Sequence, residues 1–246
     1  MTSADGTRLV LPAYRRDDVE VHPPLAYPDY RSTALRAPVR PPAFLPQRLT
    51  EVTGPLLGEG RLGPLDHDLT RQHRGEPLGQ RIVVHGRVRD GDGRPVPAAL
   101  VEIWQANAAG RYRHTVDDWP APLDPNFDGV GRRLTDEAGR YRFVTVRPGA
   151  YPWANHPNAW RPAHIHFSLF GRAFTQRLVT QMYFPDDPLR FQDPIFNSVP
   201  DPAARARMVS RYDHAQSVER WALAFEFDIV LRGRDGTPFE RAEWDG

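Results

Sequence analysis

From Arg81 onward the chain repeats one pattern: short runs of alternating apolar and polar residues, cut by turns rich in glycine and proline. Alternation at period two marks a strand with one buried face. Ile82, Val84, Gly86 and Val88 alternate with mostly polar neighbours, and Asp90-Gly-Asp-Gly93 follows as a tight turn. Further strands are predicted over Ala98 to Gln105, over Arg140 to Val146 after the turn Asp136-Glu-Ala-Gly139, around His164-Ile165-His166, and over Arg177 to Phe184. A last strand puts Leu223, Phe225, Phe227, Ile229 and Leu231 on one face and Glu226 and Asp228 on the other. One helix interrupts the series. Asp201 is a good N-cap, Pro202 fits the first helical position, and Ala204, Met208 and Tyr212 share a stripe. The pattern predicts an all-β sandwich or barrel with one or two short helices.

Residues 1–80 read differently. They are rich in proline and arginine, as in Val21-His-Pro-Pro-Leu-Ala-Tyr-Pro-Asp-Tyr30 and then Pro38, Pro41, Pro42 and Pro46. Such a segment cannot bury enough apolar surface to fold alone. Its scattered Tyr14, Tyr27, Tyr30, Phe44 and Leu45 suggest an arm laid over the main domain or over a partner subunit. The expected organisation is therefore a proline-rich arm over 1–80 and a β domain over 81–246.

Composition limits the chemistry. There is no cysteine, so disulfides, thiolate metal sites, iron–sulfur clusters and thiol nucleophiles are excluded, and a metal would have to use nitrogen and oxygen donors. The formal net charge is +1, which gives no reason to expect nucleic acid or an anionic membrane as partner. With 40% hydrophobic residues the chain can build a real core. No apolar run approaches the ~18 residues of a membrane helix, and the N-terminus has no signal-peptide core, so a soluble, cytoplasmic protein is expected.

Within that frame, four residues stand out as a ligand set for a ferric ion: Tyr112, Tyr151, His164 and His166. On a strand, His164 and His166 point to one face while Ala163, Ile165, Phe167 and Leu169 point to the other. Paired imidazoles suit iron, zinc, copper or nickel. The tyrosines narrow the choice, because phenolate is a hard anionic donor that favours a highly charged cation. Ionising a phenol of pKa near ~10 at neutral pH needs roughly 4 kcal/mol from its surroundings, which a trivalent metal can supply. Tyr112 and Tyr151 both sit on predicted loops after strands, where a scaffold could aim them at one end of a sandwich. His114 and His156 lie close enough in sequence to replace one of the four. Asp66-His67-Asp68 is read as a local charged turn ahead of a divalent-metal site. Arg161 is either a cation beside an iron-bound anion or a surface ion pair.

The strings Trp104-Gln-Ala-Asn, Gly110-Arg-Tyr-Arg-His114, Ala121-Pro-Leu-Asp-Pro-Asn-Phe127, Tyr151-Pro-Trp153, Trp160-Arg-Pro-Ala-His-Ile-His-Phe167 and Thr180-Gln-Met-Tyr-Phe184 resemble those of intradiol ring-cleaving dioxygenases. The likeness runs from about Tyr27 to Leu231-Arg-Gly233. It implies a β-sandwich core holding one non-haem Fe(III) per chain, with Tyr112 and His164 as equatorial ligands, Tyr151 and His166 as axial ligands, and a hydroxide. A catechol would displace the hydroxide and Tyr151, which then accepts a substrate proton, and O2 opens the ring to a muconate. The resemblance also implies that Arg161 stabilises carbanionic character on the ring and that Gln181 stands by the substrate and O2 pocket. Tyr30 and Trp153 would touch the substrate, Ile195 would form an apolar wall, and Tyr183 would lie near the iron.

The choice of branch rests on the arm. Catechol-cleaving members carry a helical N-terminal dimerisation domain, which residues 1–80 do not resemble. His22-Pro to Tyr30-Arg-Ser-Thr33 and Gly63 to Asp68 are similar to the protocatechuate-cleaving branch. That branch implies cleavage of protocatechuate (3,4-dihydroxybenzoate) to 3-carboxy-cis,cis-muconate in aromatic-compound catabolism, with another catechol or hydroxyquinol as the alternative. It also implies a homologous α subunit without iron ligands, an active site shared between the two, and a higher-order αβ oligomer. Asp128 where glycine is expected, Pro185-Asp-Asp187 and Phe191-Gln-Asp193 depart from the family pattern near the pocket rim. A cupin would also use an HxH strand, but Phe167-Ser-Leu-Phe-Gly171 supplies no carboxylate ligand. A metal-free β module remains the reading from a different class.

Overall fold

The computed structural model describes residues 21–37, 40, 62–153, 160–170 and 178–239. Tyr14, Pro38, Pro41, Pro42, Phe44, Leu45, Pro46, His156 and Arg177, named above, lie outside the described residues. Among the described residues there are eleven strands: β1 (Arg81–Arg89), β2 (Leu100–Trp104), β3 (Val130–Leu134), β4 (Arg140–Val146), β5 (Tyr151–Pro152), β6 (Trp160–Arg161), β7 (His164–Phe170), β8 (Leu178–Tyr183), β9 (Arg211–Val218), β10 (Ala222–Glu226) and β11 (Ile229–Val230).

Two sheets carry the domain. In one, β1 pairs antiparallel with β4 along one edge and parallel with β10 and β11 along the other, and β9 flanks β10. The other is antiparallel throughout, in the order β3-β2-β7-β8. A small ribbon pairs β5 with β6. The inward residues of β1 (Ile82, Val84, Val88) and Phe143 and Phe225 meet Val101, Ile103, Ile165, Phe167 and Leu169 in one buried cluster. Phe167 bridges the layers, its ring 5.7 Å from that of Tyr141 and 5.1 Å from that of Phe227. The architecture is a β-sandwich. Because Ile165, Phe167 and Leu169 fill the core, period-two alternation turns His164 and His166 to the opposite face of β7.

Residues 62–80 join this core as well. The Leu69 side chain is fully buried in the main cluster, and its amide donates to Val144 O at 2.9 Å. Further upstream, Val21 packs with Tyr183, Phe196 and Val199, and the His22 ring lies 4.1 Å from that of Phe239. Among the described residues no helix is long and apolar enough to cross a membrane.

Three expectations about elements need correction. The helix after Asp201 covers only Pro202–Ala206, and Tyr212 belongs to strand β9. Both backbone groups of Tyr183 compete for the chain at that point, since its amide donates to Met208 O and its carbonyl accepts from Ser210 N, each at 2.8 Å. Tertiary pairing there overrides the helical stripe. The last strand breaks in two at Phe227 and Asp228, where Asp228 Oδ1 replaces a backbone acceptor for Arg87 N at 2.8 Å. Finally, β3 was not foreseen, because Val-Gly-Arg-Arg-Leu does not alternate; Arg132 on it pairs with Glu102 of β2 at 2.8 Å.

The break in the last strand depends on Gly86. A Cβ at Gly86 would collide with the carbonyl of Phe227, which also accepts the Tyr141 hydroxyl proton. Gly86→Ala should lower stability by about 1–3 kcal/mol, the usual cost of overpacking, read as a lower urea midpoint. An unchanged midpoint would contradict this close approach.

Candidate metal centre

Each proposed ligand is delivered by a different local device. His164 and His166 come from the outward face of β7, with Nε2 atoms 3.2 Å apart and rings at 76°. His164 Nδ1 lies 2.7 Å from Pro162 O, so Nδ1 holds the proton and leaves the Nε2 lone pair facing inward. Trp104, directly opposite His166 on β2, stacks on its ring at 4.7 Å and 2°. Tyr151 is on the β5–β6 ribbon opposite Arg161, a short ladder where a loop was expected. Its hydroxyl lies 3.4 Å from His164 Nε2.

Tyr112 arrives on the loop after β2, which Asn107 organises. Asn107 Oδ1 accepts from Ala109 N at 2.9 Å and Arg111 N at 3.0 Å, and Nδ2 donates to Pro122 O at 2.9 Å. Gly110, at φ +78, lies so close to Ala150 O that no side chain fits there. This locks the Tyr112 loop onto the segment that carries Tyr151. The Tyr112 amide donates to Asp117 Oδ2 at 2.7 Å. As a result the Tyr112 ring lies 5.4 Å from that of Tyr151 and 6.5 Å from that of His166.

The Tyr112 hydroxyl is buried and, among the described residues, makes no hydrogen bond of good geometry, although the Tyr151 side chain is near enough to bear on it. A stranded donor of this kind costs about 1–3 kcal/mol and calls for an explanation. Burial, and then the neighbouring Tyr151, push this phenol well above its ordinary value. Burial first, and then the Arg161 cation, hold His166 down to about 3. The same two causes, in the same order, hold His164 well below its ordinary value. Neutral imidazoles are the form that binds metals. Among the described residues no three His, Cys, Asp or Glu converge to hold a metal ion, so a metal here has to draw on the tyrosines. The donor set of two imidazoles and two phenols fits ferric iron.

Beside the histidines lies a cavity of about 220 Å³ lined by Tyr30, Trp153, Arg161, His166, Gln181 and Ile195, among others. The structure thus brings Tyr112, Tyr151, His164 and His166 together at the centre, and Tyr30, Trp153, Arg161, Gln181 and Ile195 at the adjoining cavity. Tyr30 reaches it from the arm, with its ring 5.3 Å from that of Trp153. Arg161 is buried, which answers the question of a surface ion pair. Its guanidinium lies 5.3 Å over the Trp153 ring. His114 is exposed and accepts from Val116 N at 3.2 Å, outside the centre. Asp66 and Asp68 close local turns, accepting from Gly63 N at 2.9 Å and Thr70 N at 3.1 Å.

Sequence reasoning missed three supporting residues. Trp104 was noted only as part of a string. Asp187 accepts from Ala163 N at 2.7 Å and so anchors the chain just before His164. Asp193 is fully buried against Arg161. Both acids precede proline at the start of a helical turn, the same Asp-Pro signature that was read correctly at Asp201.

The comparisons agree with this geometry. A family described as Dioxygenase matches residues 52–233, and one described as Protocatechuate 3,4-dioxygenase beta subunit N terminal matches 14–48. The chain is 62% identical over 222 residues to a protocatechuate 3,4-dioxygenase beta chain from Burkholderia cepacia, covering 89% of this chain and 94% of that one. It is 27% identical over 208 residues to a protocatechuate 3,4-dioxygenase alpha chain from Pseudomonas putida, covering 81% and 98%. Among solved structures, 3-chlorocatechol 1,2-dioxygenase from Rhodococcus opacus 1CP superposes with a TM-score of 0.54 at 25% identity, covering 73% of this chain and 70% of that one. The chain belongs to the intradiol ring-cleaving dioxygenases, a family that uses non-haem iron. Within that family it groups with the protocatechuate 3,4-dioxygenase beta chains.

Buried His164 and half-buried His166 predict an acid-sensitive metal-free protein. Unfolded histidine takes up a proton near pH ~6.5, whereas folded His166 resists protonation down to about 3. Stability is therefore complete above about pH 6.5 and falls as pH drops from there toward 3. The slope is about 1.4 kcal/mol per pH unit for each such histidine. Urea midpoints of the metal-free chain between pH 7.5 and 5 should fall, and fall less steeply in His166→Asn. Equal slopes in the two proteins would contradict the depressed value.

Proposed function

We propose that this chain is the iron-bearing β subunit of an enzyme that cleaves protocatechuate with O2 to 3-carboxy-cis,cis-muconate. The observation that carries the reading is the convergence of two neutral imidazoles on two half-buried tyrosines, one with a buried hydroxyl, beside a cavity that holds Arg161. Near-full-length likeness to a protocatechuate 3,4-dioxygenase beta chain supports the substrate. Tyr112, Tyr151, His164 and His166 would hold one Fe(III) per chain. Ferric iron bound there would supply Lewis acidity toward a catecholate.

The protein's own groups do the rest. The Pro162 carbonyl fixes the His164 tautomer, and Trp104 fixes the plane of His166. Tyr151, on a two-residue ribbon and not in the core, would be the phenol placed to accept a catechol proton. Arg161 places a buried positive charge where negative charge develops on the ring. Gln181 stands beside it at the cavity, while Tyr30, Trp153 and Ile195 hold the flat ring.

Among the described residues Arg161 is the one Arg lining the cavity, and it is already paired with Asp193. The substrate carboxylate therefore needs a counter-charge from elsewhere. Relatives named as alpha and beta chains of one enzyme point to a homologous α subunit, and we assign that role to it within a higher-order αβ assembly. A cytoplasmic location is part of the same proposal. That the one Arg lining the cavity among the described residues is already paired also favours, as the second reading, a catechol or hydroxyquinol without a carboxylate.

Co-purified with its α partner and loaded with iron, the chain should consume one O2 per protocatechuate and release 3-carboxy-cis,cis-muconate, identified by mass. Turnover of catechol or hydroxyquinol with protocatechuate untouched would decide for the second reading. Tyr112→Phe and His164→Ala should each reduce iron occupancy or turnover by at least about tenfold. Full iron content and full activity in either variant would overturn its assignment as a ligand.

A further inference from the structure

The Arg161 guanidinium is gripped along one edge. Nη2 donates to Asp193 Oδ2 at 2.9 Å, to Gln181 Oε1, and to the Tyr183 hydroxyl at 3.3 Å. Nε donates to the same Asp193 oxygen at 3.3 Å. Nη1 makes no hydrogen bond among the described residues, and Arg161 lines the cavity, so Nη1 is the donor left for a ligand.

Asp193 is the centre of this grip. Its side chain is fully buried, and Oδ2 accepts a third bond, from the Tyr183 hydroxyl at 2.9 Å. Oδ1 accepts from Ile195 N at 3.1 Å and caps the helical turn Pro194–Asn197 that carries this wall residue. One carboxylate therefore ties together a cation and an apolar wall of the same cavity. Burial works against the Arg161 charge, but Asp193, joined by Tyr183 and Tyr151, outweighs it and keeps the guanidinium protonated. Without its partner the cation would be stranded at a site 4% exposed.

We propose that Asp193 is a positioning residue for ring cleavage: it clamps the Nε and Nη2 edge of Arg161, which leaves Nη1 directed to the substrate, and it sets the Ile195 wall. The role rests on the function proposed above, because Asp193 acts through what Arg161 does to the substrate. Misplacing a group by about 1 Å can cost ~100-fold in rate.

The test is a double-substitution cycle in the iron-loaded complex with the α partner, assayed with protocatechuate. Asp193→Asn keeps the size and the cap for Ile195 but removes the charge. It should lower kcat by about 10- to 100-fold with KM within about threefold. In an Arg161→Gln background the same change should cost no more than about twofold, because the group it positions is gone. Asp193→Ser, which also retains a cap, serves the cycle if Asp193→Asn does not fold. Wild-type kcat in the single variant, or losses that multiply in the double variant, would overturn the proposal. Melting of the iron-free chain separates this from the functional reading. Each single substitution should lower the midpoint and Asp193→Asn with Arg161→Gln should recover part of it. An inactive wild-type complex with that recovery would overturn the function and uphold the clamp. Additive melting losses would overturn the clamp itself.

Discussion

Strand β7 carries both the fold and the chemistry, and it can do so because a strand has two faces. Ile165, Phe167 and Leu169 fill the space between the sheets, with Phe167 in contact with aromatic rings of the opposite layer. The same pleat sets His164 and His166 side by side, their Nε2 atoms 3.2 Å apart. A slip of one residue in the pairing of β7 with β2 and β8 would bury both imidazoles in the core and turn Phe167 out. The hydrophobic demand for one register thus also fixes the metal-facing geometry. Trp104 reinforces it from the neighbouring strand.

Around that strand the site holds polar groups in states that the fold alone does not reward. Two imidazoles are kept neutral by burial and a nearby cation, and one half-buried tyrosine carries a buried hydroxyl without a hydrogen bond of good geometry among the described residues. These arrangements destabilise a metal-free chain and become favourable when a hard cation accepts the donors, which is how binding and folding are coupled in metal sites. Proteins tend to concentrate such conflicts where they work. Arg161 is the exception, because its buried charge is matched by Asp193 within the same chain.

The candidate ligand set could be picked out in the sequence because its signals are local: an HxH pair in an apolar alternating run, and tyrosines near glycine in stiff loops. The strands with strict alternation were legible for the same reason, β1 and β4 above all. What stayed hidden depends on contacts remote in sequence. Tyr183 draws Val209 out of a helix by backbone pairing, and β3 gains its place from the β2 edge and a Glu102–Arg132 pair. Asp193 looked like an oddity near the pocket rim, since nothing local reveals an arginine thirty-two residues upstream as its partner. Tyr30 was credited to the cavity only through resemblance; the structure brings it against Trp153 from the other end of the chain.

The central claim is that Tyr112 and Tyr151 meet a ferric ion together with His164 and His166, and colour tests it most directly. A visible absorption spectrum of the iron-reconstituted chain with its α partner, recorded without O2 before and after adding protocatechuate, is the measurement. A broad red-to-purple tyrosinate band that shifts on adding the substrate is the predicted result. A colourless protein that binds no iron would contradict the claim and return the chain to the class of metal-free β-sandwich modules.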